Sequence, residues 1–349
     1  MAKSSSKVRC AVIGLGMGWH HCKAFSECPE AEIVGLVDLN ADQHNKVKEF
    51  APNATFYTDY KEMLKQEKPD LVTIALPNFL HAKVAIDAMK AGANVLGEKP
   101  MALNTKEAIK MRDTAEKLGK KLGINLSYRF TPQARALKDM ADQGFLGDPY
   151  HAFSKWTRLD GFPRFGGWFG QHEFSGGGPL IDLGVHRIDL ALWLMGSPSP
   201  VTVSGMAHKQ IGVPRAKKQK LKFDVEDFAT GFVRFDNGAS LVFEISWGNF
   251  QQKQEDMYTK VTGTKGALIH HNPGDGYDFN AEYVTEEAGH VVHGEISQTR
   301  GALRSSYAEM VHCIIDDRPF LASPEDGIHI QQILDGLYKS AKLGREVKV

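Results

Sequence analysis

The first third of the chain alternates continuous apolar runs of strand length with stretches whose apolar residues recur at helical spacing. Residues 8–13, 33–37, 71–76, 94–97 and 121–126 are runs of the first kind, with 56–57 as a shorter one. Such runs lack the in-out alternation of a half-buried strand, which is the pattern of strands covered on both faces. Between them the spacing predicts helices over 19–25 and 79–90, one capped by Asn40 and reaching Phe50, one capped by Asp59, and one opened by Asn104 with Glu107 and stopped near Gly119. Strand and helix in strict alternation predict a doubly wound parallel sheet.

Beyond residue 124 the pattern changes. A helix over 128–144 leads to a strand over 150–159, a loop rich in Gly, Phe and Trp over 160–178, and a nearly all-apolar helix opened by Pro179. Strands then follow at 201–207, 228–235, 240–246, 260–263, 267–269 and 283–285, with Asp236-Asn237-Gly238 and Gly263-Thr264-Lys265-Gly266 as hairpin turns. The expected second domain is α+β, with a large, open and mostly antiparallel sheet. A last helix over 323–344, capped by Ser323 with Pro324 next, is expected to pack back on the first domain. A chain of 349 residues exceeds what one core usually fills, and the boundary falls near Ile124, giving domains 1–124 and 125–349.

Charge removes several classes of function. Equal numbers of basic and acidic residues, 42 of each, offer no electrostatic reason for a nucleic-acid or anionic-membrane partner. The basic cluster at 215–222 lacks interleaved aromatics and reads as a solvated loop. Cys10, Cys22, Cys28 and Cys313 have no motif spacing and read as reduced thiols of a cytoplasmic protein. The polar start lacks the apolar stretch of a secretory signal, no segment is apolar enough to span a membrane, and there is no internal repeat or low-complexity tract.

Two constellations carry chemistry. In the first domain, the run at 8–13 ends in Gly14-Leu15-Gly16-Met17-Gly18, and the run at 33–37 ends in Asp38. Glycines there let backbone N–H groups approach a pyrophosphate, and an acid about twenty residues on can accept bonds from a ribose diol. The expected cofactor is therefore NAD rather than NADP, whose 2′-phosphate would face the Asp38 charge. Leu76, Pro77, Asn78, Glu98 and Lys99 also fall at strand ends, where ligands of such sheets lie. In the second domain, a helix begun at Pro179 places Asp182, His186 and Asp189 on one face. Three readings stand: a hydrogen-bonded core pair, metal ligands completed by His172 or Asp189, or a proton-transfer histidine oriented by Asp182. In the 160–178 loop, unusually long for a compact domain, Trp168, His172 and Arg164 are candidates to touch substrate, as is Arg158 at its start. Arg129 is added to Trp168 and His172 as an expected substrate residue.

Gly14-Leu15-Gly16, Pro77-Asn78 with His81, Ala91-Gly92-Ala93-Asn94-Val95, Glu98-Lys99-Pro100, and the stretch from Gly176-Gly177-Gly178 through Pro179 and Asp182 to His186 together resemble the Gfo/Idh/MocA oxidoreductases. The resemblance runs from Val8 to the terminal helix. It implies that Lys99, Asp182 and His186 face the nicotinamide across an interdomain cleft, that Pro77, Asn78 and His81 line the cofactor, and that Glu98 lies near its ribose. Trp19 departs from the pattern, standing where a third glycine is usual. The implied activity is hydride transfer between NAD and a secondary alcohol or ketone of a sugar, cyclic polyol or related small molecule, without a metal. His186 or Lys99 would handle the proton. The resemblance also implies a homodimer or homotetramer assembled through the second sheet, where Phe228, Phe232, Phe243 and Ile245 outnumber the positions one helix can cover. A glycosidase using NAD transiently and a non-catalytic dinucleotide sensor are the rival readings.

Overall fold

The unalternating apolar runs of the first half assemble into one parallel sheet, because strands with two apolar faces need cover on both sides. The computed structural model describes residues 7–298 and 304–349. Its strands β1 (Val8–Ile13), β2 (Ala31–Val37), β3 (Thr55–Tyr57), β4 (Leu71–Ile74), β5 (Asn94–Gly97) and β6 (Leu122–Ile124) are ordered β3-β2-β1-β4-β5-β6. Every pairing is parallel. All four residues of β4 are buried, as are all but Arg9 of β1. Asn40, Asp59 and Asn104 cap their helices as expected, each accepting from a backbone N–H one turn in.

The first helix spans Leu15–Ser26 and so begins directly after β1, earlier than the expected Trp19. Gly14 allows this. Its φ of +88° turns the chain in one residue, and a Cβ there would lie 2.4 Å from the Ala75 carbonyl oxygen. Residues 304–328 group with this unit: the helix Ser306–Ile315, which has no counterpart among the predicted elements, and Phe320, whose ring would touch a Cβ at Gly123 of β6 at 2.5 Å.

The second unit comprises, among the described residues, 127–298 and 329–349. Its strands are β7 (Pro149–Arg158), β8 (Pro200–His208), β9 (Phe228–Phe235), β10 (Ser240–Ser246), β11 (Glu255–Gly263), β12 (Gly266–His271), β13 (Asn280–Glu287), β14 (His290–Glu295) and β15 (Val347–Lys348). They form one sheet of order β14-β13-β12-β11-β7-β10-β9-β8-β15, in which only β7 and β10 run parallel. Two elements correct the sequence reading. The basic cluster at 215–222, expected as a solvated loop, is helical in its first half: the helix Gly212–Lys218 carries Arg215, Lys217 and Lys218 in its last turn, the end that favours cations. Phe243 and Ile245 belong to the covered face of the sheet, leaving Phe228 and Phe232 half-buried on the other. The reason is a second covering helix, Pro324–Leu343, whose Leu337 packs close against Gly205 of β8 and Gly231 of β9. This last helix is divided between the units after Ile328.

The central helix lies on β7, β10 and β11. It opens as a π-helical turn, Leu180–Gly184, before continuing as an α-helix over Val185–Leu194; a regular α-helix from Pro179 was expected. Its head is fixed by Glu226, which is wholly buried. The Gly178 N–H donates to both carboxylate oxygens at 2.9 Å, the Leu180 N–H to Oε1 at 3.2 Å, and the Tyr338 hydroxyl to Oε1 at 2.9 Å. Burial pushes the Glu226 carboxyl above its ordinary range against the pull of these donors. The preceding glycines are a steric requirement, since a Cβ on Gly177 would lie 1.9 Å from the Tyr338 hydroxyl and one on Gly178 2.1 Å from the Glu226 carbonyl oxygen.

Among the described residues no helix is long and apolar enough to cross a membrane, and all four cysteines are free and buried. Replacing Glu226 with Ala strands two buried N–H groups and a hydroxyl, so Glu226→Ala should lower stability by about 2–5 kcal/mol. Urea denaturation followed by circular dichroism measures it, and a loss under about 1 kcal/mol would show that the head of the helix does not depend on this carboxylate.

Candidate functional site

In the first unit the expected cofactor residues gather at the carboxyl ends of β1, β2, β4 and β5. Gly14 donates its N–H to the Val37 carbonyl at 2.8 Å, drawing the glycine loop against the end of β2. Asp38 is held by both oxygens: Oδ2 accepts from the Leu15 N–H and Oδ1 from the Asn40 N–H, each at 2.8 Å. Gly16 is exposed, with no atom within 4 Å of where its Cβ would stand, and Met17 beside it is 62 % exposed. Open backbone at a helix N-terminus suits a diphosphate. The close helix-to-strand approach usually provided by a third glycine is made at Gly18 instead, whose Cβ would meet Val12 at 2.9 Å. Trp19 is thereby free to turn outward and stack on His20.

At the ends of β4 and β5, Leu76, Pro77 and Lys99 are half-buried and Asn78 is buried. Glu98 Oε1 is 3.1 Å from His21 Nε2 and accepts from Asn125 Nδ2 at 2.6 Å. Burial works against its charge, yet the hydrogen bonds from His21 and Asn125 and the charges of His21 and Lys99 prevail and hold the carboxyl at about 2. The carboxylate is therefore ionised and anchored from behind, and Asn125 is itself held by Tyr307 and Ser306. His81 departs from the cofactor-lining role the sequence implies. It is 2 % exposed, and its Nδ1 and Nε2 lie 2.8 Å from the carbonyl oxygens of Pro100 and Leu76. The ring thus ties the end of β4 to the segment after β5, and burial pushes its pKa below the usual imidazole range.

In the second unit, every residue from Leu180 to Met195 is buried except Asp182 and His186. Asp182 Oδ2 accepts from the Trp247 indole N–H at 2.9 Å. The His186 ring lies 5.3 Å from Tyr128 and 5.9 Å from Trp156, centroid to centroid. Asp189, expected on the same face, is buried and pairs with Arg129, whose guanidinium donates to both of its oxygens. Arg129 is 1 % exposed and also lies over Trp193. Its place is inside the unit, which corrects the substrate role expected of it. The π turn shifts the helical phase of Asp182 relative to the α-helical turns that begin at Val185, whereas His186 and Asp189 share those regular turns and differ in that Asp189 meets Arg129 in the interior.

The loop at 160–178 contributes a 3₁₀ turn, Trp168–Gly170, and a helical turn, His172–Ser175. Phe169 packs on Trp247 at 5.5 Å, so Trp168 is presented, 38 % exposed, beside the indole that holds Asp182. His172 is exposed, and its backbone N–H is fixed by Asp224 Oδ1 at 2.7 Å. Among the described residues, no three His, Cys, Asp or Glu side chains are arranged to hold a metal. Trp247, Glu226, His21 and Asn125 support the site and were not singled out from the sequence. Only Trp247 had a local signal, a large aromatic directly after the strand β10.

Comparison with known proteins places these features. The sequence model of the Gfo/Idh/MocA oxidoreductase family's NAD-binding Rossmann fold matches residues 8–126, and that of its C-terminal α/β domain matches residues 138–349. The chain is 33 % identical to D-glucoside 3-dehydrogenase of Escherichia coli K12, over 100 % of this chain and 99 % of that one. It is 28 % identical to scyllo-inositol 2-dehydrogenase (NAD(+)) of Bacillus subtilis 168, over 75 % of this chain and 73 % of the other. The solved structure of levoglucosan dehydrogenase in complex with NADH and levoglucosan superposes with a TM-score of 0.85 over 98 % of this chain and 99 % of that one, at 20 % identity, and so shares the fold.

Proposed function

Because the chain belongs to the Gfo/Idh/MocA oxidoreductase family, we propose that it is an NAD(H)-dependent dehydrogenase moving a hydride between the nicotinamide and a secondary alcohol of a sugar or cyclic polyol. The observation that carries the reading is the central helix, buried from Leu180 to Met195 except at the two ionisable positions that can transfer and steady a proton, Asp182 and His186. A sensor needs no such pair. The relatives named for glucosides and inositol, and the NADH-bound structure named for levoglucosan, support the substrate class.

When bound, NAD supplies the hydride acceptor. Gly14, Leu15, Gly16 and Met17 would hold its diphosphate, Asp38 its adenosine ribose, and Leu76, Pro77 and Asn78 with Glu98 the remainder. His186 accepts the hydroxyl proton as the alcohol is oxidised, and Asp182, steadied by Trp247, holds the imidazole. Lys99 stabilises negative charge on the reacting oxygen. Trp168 and His172 contact the substrate. Four free thiols accord with a cytoplasmic location.

His186→Ala and Lys99→Ala should each lower turnover by at least about a hundredfold while leaving NADH affinity within a few-fold, as a proton-transfer role requires. Reduction of added NAD is followed by absorbance over a panel of methyl glycosides, free sugars and inositols. Turnover that is near normal in both variants would remove the mechanism, and bond cleavage without net NAD reduction would point to the glycosidase.

With Asp38 facing the adenosine ribose in this reading, the 2′-phosphate of NADP would meet its charge, a repulsion of about 1–4 kcal/mol. NAD should bind at least about tenfold more tightly than NADP, and Asp38→Ser with Leu39→Arg should narrow or reverse the preference. Calorimetric titration of both cofactors decides this; a tighter fit for NADP would mean that Asp38 does not meet the ribose.

The uncovered face of the second sheet, bearing Phe228 and Phe232, is proposed to pair with a second copy. A dimeric or tetrameric mass by light scattering is expected at micromolar concentration, and a monomer would refute the pairing.

A further inference from the structure

Beside Asp182 and His186 the second unit carries a polar network for which proton transfer has no use. Arg158 is the last residue of β7 and Glu255 the first of β11, and the antiparallel register sets them opposite each other. Arg158 Nε lies 2.9 Å from Glu255 Oε1, and Nη2 donates to the Tyr277 hydroxyl at 2.8 Å. That hydroxyl donates to Glu255 Oε1 at 3.2 Å, while the Trp156 indole N–H donates to Oε2 at 2.6 Å. The network borders the reacting pair. Trp156 packs on the His186 ring, and Asp182 is among the groups that, against burial, favour the charged form of Arg158.

The network has a buried floor and an open rim. Trp156 is 4 % exposed, and behind it the wholly buried Arg187 is packed against the rings of Tyr128, Trp156 and Phe279. The Arg158 and Glu255 side chains are 18 % and 15 % exposed, and Tyr277 is 57 % exposed. Asp182 and Glu255 balance Arg158 and Arg187, so an anionic ligand group here would meet attraction and repulsion of similar size. A hydroxyl is different. It can accept from a guanidinium and donate to a carboxylate at once, and both bonds are charge-assisted. The exposed Tyr277 ring offers an apolar plane to the C–H face of a pyranose.

We propose that Arg158, Glu255 and Tyr277 form the specificity subsite of this enzyme, reading the uncharged hydroxyls of a neutral sugar ring and discriminating against sugar acids and sugar phosphates. The inference rests on the dehydrogenase reading above and names the substrate class within it. Arg158 and Glu255 act as a pair: the first donates, and the second both accepts and cancels the charge that would otherwise draw in an anion.

The test compares methyl β-D-glucopyranoside with D-glucuronate in the intact, NADH-loaded protein, by calorimetric binding and, where NAD is reduced, by kcat and KM. The wild type should favour the glucoside at least about tenfold. Arg158→Met should weaken the glucoside by at least about tenfold, in KM rather than kcat. Glu255→Gln unmasks the guanidinium and should shift the ratio toward glucuronate by about tenfold or more. Circular dichroism confirms folding, and Tyr277→Phe, which removes one exposed hydroxyl, reports on the same subsite should either of the other variants fail to fold. Equal handling of the two ligands by the wild type, binding of neither, or a ratio unmoved in the folded variants would overturn the proposal. Failure of the dehydrogenase reading looks different: the glucoside binds with the expected preference, yet no neutral sugar or polyol reduces NAD.

Discussion

The buried carboxylate of Glu226 is the interaction on which the position of the second unit's central helix depends. A helix start presents N–H groups that have no partner within the helix, and here the start is sunk inside the unit, out of reach of water. Glu226 accepts from Gly178 and Leu180 and is itself braced by Tyr338. With its head fixed in this way, the helix can hold Asp182 and His186 at the only unburied positions between Leu180 and Met195. The three glycines belong to the same constraint, because the space a side chain would need is taken by the Tyr338 hydroxyl and the Glu226 backbone.

Charges elsewhere in the unit are placed with the same economy. Asp189 and Arg129 neutralise each other in the interior, at 2.6 Å between Oδ1 and Nη2, which sets this structural pair apart from Asp182 and His186 on the same helix. Removing either partner of such a buried pair leaves a charge without compensation, typically at a cost of about 3–5 kcal/mol. Arg187 is held by aromatic rings and by the His270 ring at 3.0 Å, and burial brings its guanidinium down to about 10. Aromatic faces thus carry part of what a carboxylate would otherwise have to do.

The first unit solves a different problem, holding an exposed glycine backbone and two carboxylates in fixed positions at the carboxyl ends of its strands. Gly14 makes the turn, Asp38 is locked by two N–H groups, and Glu98 is held ionised by His21 and Asn125. His81 stabilises the arrangement from beneath by joining the loop after β4 to the segment after β5. In each case a polar group at the strand ends is oriented by a partner from another element.

The apolar runs at 8–13 and 71–76, the caps at Asn40, Asp59 and Asn104, and the turn at Asp236-Asn237-Gly238 were legible because strand, cap and hairpin signals act over a few residues. The parallel sheet, the mostly antiparallel second sheet, and the glycine loop followed by Asp38 could therefore be read from order and spacing alone, whereas Lys99, Asp182 and His186 were singled out together through the family resemblance. Where the reading went astray, the deciding partner lay far along the chain. Arg129 found Asp189, sixty residues away, and His81 found Pro100. Phe243 lies on the face covered by the last helix, whose Leu337 packs beside Gly231, and Ile245 lies against Gly184 of the central helix. Glu226, which no local pattern distinguishes, became the cap of a helix begun some fifty residues earlier. Periodicity and spacing report what a residue's near neighbours allow; which buried donor meets which acceptor is decided by tertiary packing, because an unsatisfied polar group in the interior costs more than a local preference can offset.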